Sequence, residues 1–337
     1  MTKLASQTFA PLCQAPDPEI RSPKIIFPSG AVDCHAHVCG PANVFPYADE
    51  RIYTPPDATL TQYNSLLGML GVDRAVLVQP SVYGSDNRAM VAALKSNPPK
   101  FRGVAVIPTD SKKISDAQLE QFHAVGVRGL RCNIVDVADK SAGLPIQELT
   151  ALAHRITSFG WHLELLMHVN EYPDLHKTFA NFPVALVFGH FGYSHAKYGV
   201  ADKGFMGLLN LMRDQKAWVK MTGPYRICDG HLPYADMRPF NDAVIAANPK
   251  QLIWGSDWPH VMVKKHMPHD ADLCELLGSW VTDEALRKAI LVDNPCMLYD
   301  FPNQKLANSD EYNPHRCSWH CCHPFTALRR STGLEAL

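Results

Sequence analysis

The chain has 337 residues, of which 46% are hydrophobic and 19% are charged. This composition is typical of a globular protein whose length allows a large buried core. The formal net charge is only -1, and the sequence has no basic stripe or acidic tail. These features argue against nucleic acid and anionic membranes as partners.

No stretch approaches the roughly 18 to 20 continuous apolar residues that a membrane span requires. Residues 1–28 also lack the apolar run of a secretory signal. The ten cysteines are spread through the chain, a distribution that predicts reduced thiols rather than a disulfide framework. We therefore expect a cytoplasmic protein.

The region before residue 29 reads as an irregular leader, because residues 1–28 contain five prolines and no sustained period. From there on, short apolar runs alternate with longer segments of helical period. The runs cover residues 31–38, 75–81, 102–108, 127–134, 162–169, 185–192, 218–223 and 251–257. Strand–helix alternation implies parallel strands joined by helical crossovers, and eight such units in about 260 residues match an α/β fold of the (β/α)₈ TIM barrel type.

We therefore predict a single TIM-barrel domain over residues 29–301. A doubly wound open sheet is the alternative, and it is disfavoured because no glycine-rich nucleotide-binding turn follows the first run. Helices are predicted between most runs, at residues 86–96, 115–126, 145–160, 204–216, 236–248 and 283–292, the last of them stopping before Pro295.

The last segment, residues 302–337, has no clean period but is dense in possible metal ligands. Five cysteines and histidines lie within residues 317–323, namely Cys317, His320, Cys321, Cys322 and His323. Structural zinc sites draw on two separated ligand pairs, and this spacing does not provide them. The segment is therefore predicted to be a weakly ordered tail rather than a metal site.

Residues capable of acid–base and metal chemistry recur where the predicted strands end. His35 and His37 are spaced i, i+2, so an extended strand directs both to one face. The catalytic ends of barrel strands meet at one rim, and on this basis we expect a single cluster. Its members are His35, His37, His168, His190 and Asp257.

This cluster suits a divalent ion such as zinc, because imidazole nitrogens and a carboxylate oxygen are its usual ligands. A bound metal would lower the pKa of a coordinated water to about 7. Asp257 could then act as a ligand, as the general base, or as both in turn. The alternative for each histidine is an ordinary hydrogen-bonded residue, and a metal-free mechanism stays equally open.

Cationic and hydroxyl side chains are predicted near the same rim, namely Tyr53, Ser81, Arg131 and Arg226. An arginine fork matches a carboxylate with two parallel hydrogen bonds. Two arginines beside the histidine and aspartate cluster therefore predict a small anionic, carboxylated substrate. The alternative is that the arginines form surface ion pairs.

With these residues in place, the sequence resembles the amidohydrolase superfamily, in its amidohydrolase-2 branch. The resemblance extends over about residues 28–301. It is carried by several blocks in the right order, among them Asp33-Cys-His-Ala-His-Val38, Gly126-Val-Arg-Gly-Leu-Arg131, Trp254-Gly-Ser-Asp-Trp-Pro-His260 and Leu291-Val-Asp-Asn-Pro295.

The resemblance implies a hydrolase that opens a carboxylated lactone or cyclic ester. In lactone hydrolases of this branch, groups matching His35, His37 and His190 polarise the carbonyl, and the group matching Asp257 activates water. Groups matching Tyr53, Ser81, Arg131 and Arg226 bind the substrate carboxylates. Some members of the branch use zinc and others work without a metal.

The chain departs from the lactone hydrolases of the branch at two substrate-binding positions. A second arginine is expected near Val137 and a tyrosine near Leu166. His168, in contrast, matches a histidine of the metal-dependent members. Two alternatives therefore stay open, a zinc-dependent decarboxylase of an aromatic or semialdehyde acid and a non-catalytic binding protein. Assembly into a homo-oligomer is compatible with the sequence.

Overall fold

A computed structural model of the chain describes residues 10–108, 113–135 and 143–302. Residues 1–9 of the predicted leader, Val137 and the whole predicted tail beyond Pro302 lie outside these ranges. The cysteines and histidines of the tail are therefore not described. Within the described ranges, no helix combines the length and the apolar character that crossing a lipid bilayer requires.

Eight parallel strands form one sheet in the order of the chain, which confirms the predicted TIM barrel. Most strand residues are buried on both faces, and this explains why the runs read as continuously apolar. The strands are β1 (Val32–Ala36), β2 (Arg74–Val78), β3 (Phe101–Ala105), β4 (Val127–Asn133), β5 (His162–Leu166), β6 (Leu186–Phe188), β7 (Ala217–Met221) and β8 (Leu252–Trp254).

Helices connect and surround the strands. They are α1 (Leu60–Leu70), α2 (Arg88–Ser96), α3 (Asp116–Ala124), α4 (Ile146–Ile156), α5 (Leu175–Phe179), α6 (Lys203–Arg213), α7 (Pro224–Ile227), α8 (Arg238–Ala247), α9 (Asp270–Trp280), α10 (Glu284–Lys288) and α11 (Asn294–Tyr299). Ser115 and Gln118 form a capping box at the start of α3. The helices α1, α5, α7, α9 and α11 were not predicted, although Thr59 and Gln62 form a second capping box at the start of α1.

Several predicted boundaries differ from the structure. All the predicted strands but β4 run two to four residues past their true ends. After β6 and β8 the reason is that His190 (φ 49°) and Asp257 (φ 68°) adopt the left-handed conformation and leave the sheet. The last helix was predicted to stop before Pro295, but the chain continues through a π-helical turn into α11. Proline is tolerated there because it occupies the first turn of α11.

The part of the leader that the structure describes is irregular and lies against the barrel. The backbone N–H of Cys13 donates to the carbonyl of Thr54 over 2.8 Å, and the N–H of Thr54 donates to Pro11 over 2.8 Å. Arg21 forms ion pairs with Asp272 and with Glu275 of α9. These contacts attach residues 11–21 to the loop after β1 and to α9.

The barrel closes between β1 and the segment that follows β8, and Asp33 is the centre of this closure. Its fully buried carboxylate accepts hydrogen bonds from the backbone N–H of His35 (3.0 Å) and of Ser256 (2.9 Å). It also accepts from the hydroxyls of Ser256 (2.5 Å) and Tyr63 (2.8 Å). The N–H of Asp257 then donates to the His35 carbonyl over 2.7 Å. Asp33 thus joins the first and last strands directly beside the predicted cluster.

Replacing Asp33 with Ala should lower the free energy of unfolding by about 3 kcal/mol, because four buried donors lose their acceptor. Tyr63→Phe removes only one of these hydrogen bonds and should cost about 1 kcal/mol. Urea unfolding followed by circular dichroism measures both values. An Asp33→Ala variant no less stable than Tyr63→Phe would show that this carboxylate does not hold the barrel closed.

Candidate active site

Four of the predicted catalytic residues meet at the rim where the strands end. His35 lies inside β1 and His37 one residue beyond it, so both point to the same face. His190 follows β6, and Asp257 follows β8. All four side chains are buried. The structure therefore brings His35, His37, His190 and Asp257 together, as their positions in the sequence predicted.

The imidazoles form a compact group around His35. Its ring centroid lies 5.0 Å from that of His37 and 5.1 Å from that of His190, and both pairs meet edge to face. The Nδ1 atom of His190 lies 2.8 Å from the hydroxyl oxygen of Thr222, which fixes the orientation of this ring. Next to Thr222, Gly223 adopts φ 56°, and a Cβ atom there would lie 2.7 Å from His190 Nδ1 and 3.2 Å from Asp257 Oδ2. A glycine is needed at this point because any side chain would collide with the site.

Among the described residues, only one oxygen of the Asp257 carboxylate accepts hydrogen bonds. Oδ2 accepts hydrogen bonds from Arg226 Nε over 2.5 Å and from the hydroxyl of Tyr225 over 2.6 Å. Oδ1 faces the histidines, at 3.7 Å from His35 Nε2 and 4.0 Å from His37 Nε2. The carboxylate is therefore held in place through one oxygen while the other stays directed into the cluster.

The pKa values in the cluster keep Asp257 charged and the imidazoles neutral. Burial raises the pKa of Asp257, but the adjacent Arg226, together with His190 and His37, more than offsets this effect, and the net pKa lies well below its usual value. Burial lowers the pKa of His37 to about 3, with a further contribution from Arg131, and lowers that of His190 to about 3 as well. Near neutral pH the site thus contains an ionised Asp257 beside uncharged histidines.

His168 lies two residues beyond β5, separate from this group. Its Nδ1 atom lies 3.0 Å from the carbonyl oxygen of Tyr193, and its ring meets the Tyr193 ring edge to face at 4.9 Å. The ring of His190 contacts the same tyrosine at 5.3 Å. His168 thus borders the cluster through Tyr193, and its role as a metal ligand stays a prediction.

Three of the predicted metal ligands have converging ligand atoms and could hold a metal ion. Among the described residues, this group consists of His35, His37 and Asp257, whose ligand atoms all lie within 4.8 Å of one another. The donor types suit zinc. A histidine that binds a metal usually donates its second ring N–H to an acceptor, and His37 does so, with Nδ1 2.7 Å from the Val78 carbonyl.

His35 does not follow this pattern, because its Nδ1 atom lies 3.1 Å from the ammonium group of Lys220. A lysine ammonium offers only donors. The group therefore fits a metal ion by its ligand atoms but not by the hydrogen bonding around His35. No step of the reaction described below depends on a metal.

The predicted carboxylate-binding residues lie at two places. Arg131 Nη1 donates to the carbonyl of Gln79 over 3.1 Å. Its buried Nε has no hydrogen-bond partner, and the guanidinium has no carboxylate partner, within the ranges that the structure describes. The hydroxyl of Ser81 donates to Tyr53 over 3.4 Å, and Arg131 is close enough to influence the pKa values of both Tyr53 and His37. A half-buried guanidinium without a carboxylate partner among the described residues is the feature expected of an anion-binding group.

Arg226, the second predicted carboxylate ligand, is instead bound to Asp257 through Nε and to the Val261 carbonyl through Nη1 over 3.0 Å. It also lines a cavity of about 250 Å³ beside the cluster. The other residues lining this cavity are Tyr193, His195, Tyr225, Cys228, Asp229, Met262, Val263, Lys264, Lys265 and His266. A role of Arg226 in binding substrate stays a prediction, while its contact with Asp257 is a feature that the sequence did not reveal.

Two buried polar networks around the cluster were also missed. Tyr225, which donates to Asp257, lies 2.8 Å from His260 Nδ1, and His260 Nε2 lies 3.2 Å from Asp270 Oδ1. Below His35, Glu164 and Lys220 form a buried ion pair of 2.7 Å. For this ion pair the sequence did offer a signal, because Glu164 and Lys220 each lie inside an otherwise apolar strand and such a residue must find a partner in the barrel.

Comparisons with known proteins agree with this architecture. A family model described as amidohydrolase matches residues 32–301. The chain is 40% identical over 287 residues to 2-pyrone-4,6-dicarboxylate hydrolase of Comamonas testosteroni, covering 82% of this chain and 92% of that protein. It is 36% identical over 305 residues to 4-sulfomuconolactone hydrolase of Rhizobium radiobacter, covering 88% and 98%.

The fold comparison gives the same result. A crystal structure from Pseudomonas putida, of a candidate 2-pyrone-4,6-dicarboxylic acid hydrolase, superposes with a TM-score of 0.71 at 33% identity and covers 82% of this chain and 99% of that one. Both the extent of the family match and the identity to these relatives are large. The chain therefore belongs to the amidohydrolase family.

Proposed function

We propose that the protein is a hydrolase that opens a small carboxylated lactone by attack of water on the ring carbonyl. The observation that carries this proposal is the free Oδ1 of Asp257, held 3.7 Å and 4.0 Å from the Nε2 atoms of His35 and His37. The arrangement places an ionised base beside neutral imidazoles, which is what general-base attack on a carbonyl requires. Two relatives are named as hydrolases of compounds of this class.

Asp257 is the general base in this mechanism. Its Oδ1 takes a proton from water as the water oxygen forms a bond to the lactone carbonyl carbon. Charge then develops on the carbonyl oxygen, and the imidazole cluster lies next to the position where it must be stabilised. Collapse of the tetrahedral intermediate breaks the bond between the carbonyl carbon and the ring oxygen, which takes up the proton, and a new carboxylate is released.

Arg131 is proposed to hold a carboxylate of the substrate, with the hydroxyls of Tyr53 and Ser81 beside it. The unpaired Nε of Arg131 supports this role, because a carboxylate would supply the missing acceptor. Fixing the substrate at this end places its carbonyl for attack. Leu166 lies near the position where the family resemblance leads us to expect a tyrosine, so the substrate is expected to carry an apolar group there.

The two alternatives have less support. A decarboxylase in the same branch would release CO₂, whereas lactone opening releases none, so product analysis separates them. A binding protein without activity would not need an ionised Asp257 directed into a cluster of neutral histidines. Relatives that match 82% and 88% of the chain are named as hydrolases of 2-pyrone-4,6-dicarboxylate and of 4-sulfomuconolactone. A cytoplasmic location and a homo-oligomer stay predictions.

Replacing Asp257 with Asn should reduce kcat for a carboxylated lactone by about 100- to 10,000-fold, because the general base is lost. The fold should be retained, since the amide keeps the size of the carboxylate. Turnover is measured with a panel of carboxylated lactones. Asp242→Asn, which alters an exposed ion pair on α8, is the control and should keep wild-type activity. Turnover by Asp257→Asn at the wild-type rate would remove Asp257 from the mechanism.

Replacing Arg131 with Gln should lower kcat/KM for a carboxylated lactone by about 30-fold, which corresponds to about 2 kcal/mol of lost charge-assisted hydrogen bonding. The uncharged methyl ester of the same lactone should be affected much less. The exposed Arg213→Gln is the matched control, because its guanidinium bonds only to Asn210 of the same helix. Equal losses for the acid and the ester would show that Arg131 does not read the carboxylate.

The pH profile of kcat/KM should be flat between about pH 7 and pH 8, above the pKa of the Asp33 carboxyl, which burial raises to about 6. The base must be ionised, and the pKa of Asp257 lies below its usual value, so it stays ionised over this range. His37 and His190, with pKa values of about 3, stay neutral until the pH falls close to that value. Steady-state rates in overlapping buffers test this. An acidic limb with an apparent pKa of about 7 or higher would contradict it.

A further inference from the structure

Lys220 of β7 is fully buried, and its ammonium group has a complete set of acceptors. The Nζ atom lies 2.7 Å from Glu164 Oε2, 2.8 Å from the carbonyl oxygen of Cys34 and 3.1 Å from His35 Nδ1. An ammonium group has three N–H donors and no lone pair. Each of its three hydrogens therefore has one acceptor, and His35 Nδ1 is one of them.

This contact determines where the proton of His35 lies. A neutral imidazole has one donor and one acceptor nitrogen, so accepting at Nδ1 places the proton on Nε2. Glu164 Oε1 is the competing partner of Nδ1, but its distance of 3.5 Å is longer than a normal N–H···O hydrogen bond. His35 Nε2 is buried and has no hydrogen-bond partner within the described residues. It is an N–H donor directed into the site with nothing yet to bind.

His37 carries its proton on the other nitrogen. Its Nδ1 atom lies 2.7 Å from the carbonyl oxygen of Val78, and a carbonyl can only accept. The proton of the neutral ring is therefore on Nδ1, and Nε2 presents a lone pair to the site, 4.0 Å from Asp257 Oδ1. His35 therefore presents a hydrogen-bond donor to the space between the two rings, and His37 presents an acceptor.

We propose that Lys220 is a positioning residue that makes His35 a hydrogen-bond donor, while His37 next to it is an acceptor. His35 Nε2–H binds the carbonyl oxygen of the lactone and the oxyanion that forms from it. His37 Nε2 and Asp257 Oδ1 accept the two hydrogens of the attacking water, and the transferred proton goes to Asp257. This inference rests on the proposed lactone hydrolysis. It replaces, for His37, the expectation from the family resemblance that His35, His37 and His190 all polarise the carbonyl.

The contact between Lys220 and His35 also gives a reason for the ion pair of Lys220 and Glu164 inside the barrel, where apolar side chains could fill the same space. A buried ion pair of this kind is weak evidence for stability, because removing both ions from water is costly. Glu164 and Lys220 have less than 3% of their side-chain surfaces exposed. Holding one tautomer of one imidazole is a role that an apolar pair could not perform.

The direct test is a long-range ¹H–¹⁵N NMR spectrum of the wild-type protein labelled at histidine, recorded near neutral pH. Spectra of His35→Gln and His37→Gln assign the two rings. The expected result is a protonated Nε2 for His35 and a protonated Nδ1 for His37. A His35 ring protonated at Nδ1, or a His37 ring protonated at Nε2, would overturn the proposal without any activity measurement.

The role of Lys220 is tested by Lys220→Met, which has similar length but no donor. Glu164 then becomes the only partner for His35 Nδ1, so the proton should move to Nδ1 and kcat should fall about 100-fold or more, with a smaller change in KM. Lys216→Met, at the exposed start of the same strand segment, is the control and should alter neither. A folded Lys220→Met protein that keeps the Nε2–H tautomer or the wild-type kcat contradicts the role. If this variant does not fold, the wild-type spectrum alone decides.

The proposed function and the tautomer assignment would be contradicted by different results. If the wild-type protein opens no carboxylated lactone, the proposed function is wrong, whereas the tautomers of His35 and His37 are unaffected. If it opens lactones but the spectrum shows the opposite tautomers, only the assignment of donor and acceptor is wrong.

Discussion

The active site depends on the closure of the barrel between β1 and the segment after β8. The Asp33 carboxylate accepts hydrogen bonds from both sides of this junction, and the N–H of Asp257 donates to His35 across it. These bonds place residues that are more than 200 positions apart in the sequence within 4 Å of each other. The histidine pair and Asp257 are therefore assembled by the same contacts that complete the fold.

Around this junction, each charged group in the site has a specific partner, and the partner determines what the group can do. Arg226 and Tyr225 bind one oxygen of Asp257 and leave the other free. Lys220 and Glu164 satisfy each other and give His35 its polarity. Arg131 is the exception within the described residues, because its Nε has no acceptor, and this is why we propose that it holds a substrate carboxylate. The chemistry follows from the distribution of partners rather than from the presence of catalytic residue types alone.

Much of the fold and part of the site could be predicted from the sequence, for physical reasons. Parallel barrel strands are buried on both faces, so they read as eight apolar runs, and the i, i+2 spacing of His35 and His37 fixes their common direction. Strand ends were overestimated because the left-handed turns at His190 and Asp257 have no sequence signature as clear as a glycine. The helix α1 was overlooked although Thr59 and Gln62 have capping-box spacing.

The partners were harder to predict than the catalytic residues, because hydrogen bonding between distant strands depends on register. Lys220 on β7 reaches Glu164 on β5 and His35 on β1, and no local pattern connects these three positions. Arg226 looked like a substrate ligand because arginines suit carboxylates, and the structure shows that the carboxylate it binds is Asp257. The sequence indicates which groups are available, and only the packed barrel determines which of them remain unpaired.

Attack of water on the carbonyl carbon of a carboxylated lactone is tested most directly by running the reaction in H₂¹⁸O. The product is then analysed by mass spectrometry. The account predicts one ¹⁸O atom in the newly formed carboxylate, none in the released hydroxyl or enol, and no loss of CO₂. Release of CO₂, or ¹⁸O on the former ring oxygen, would contradict it.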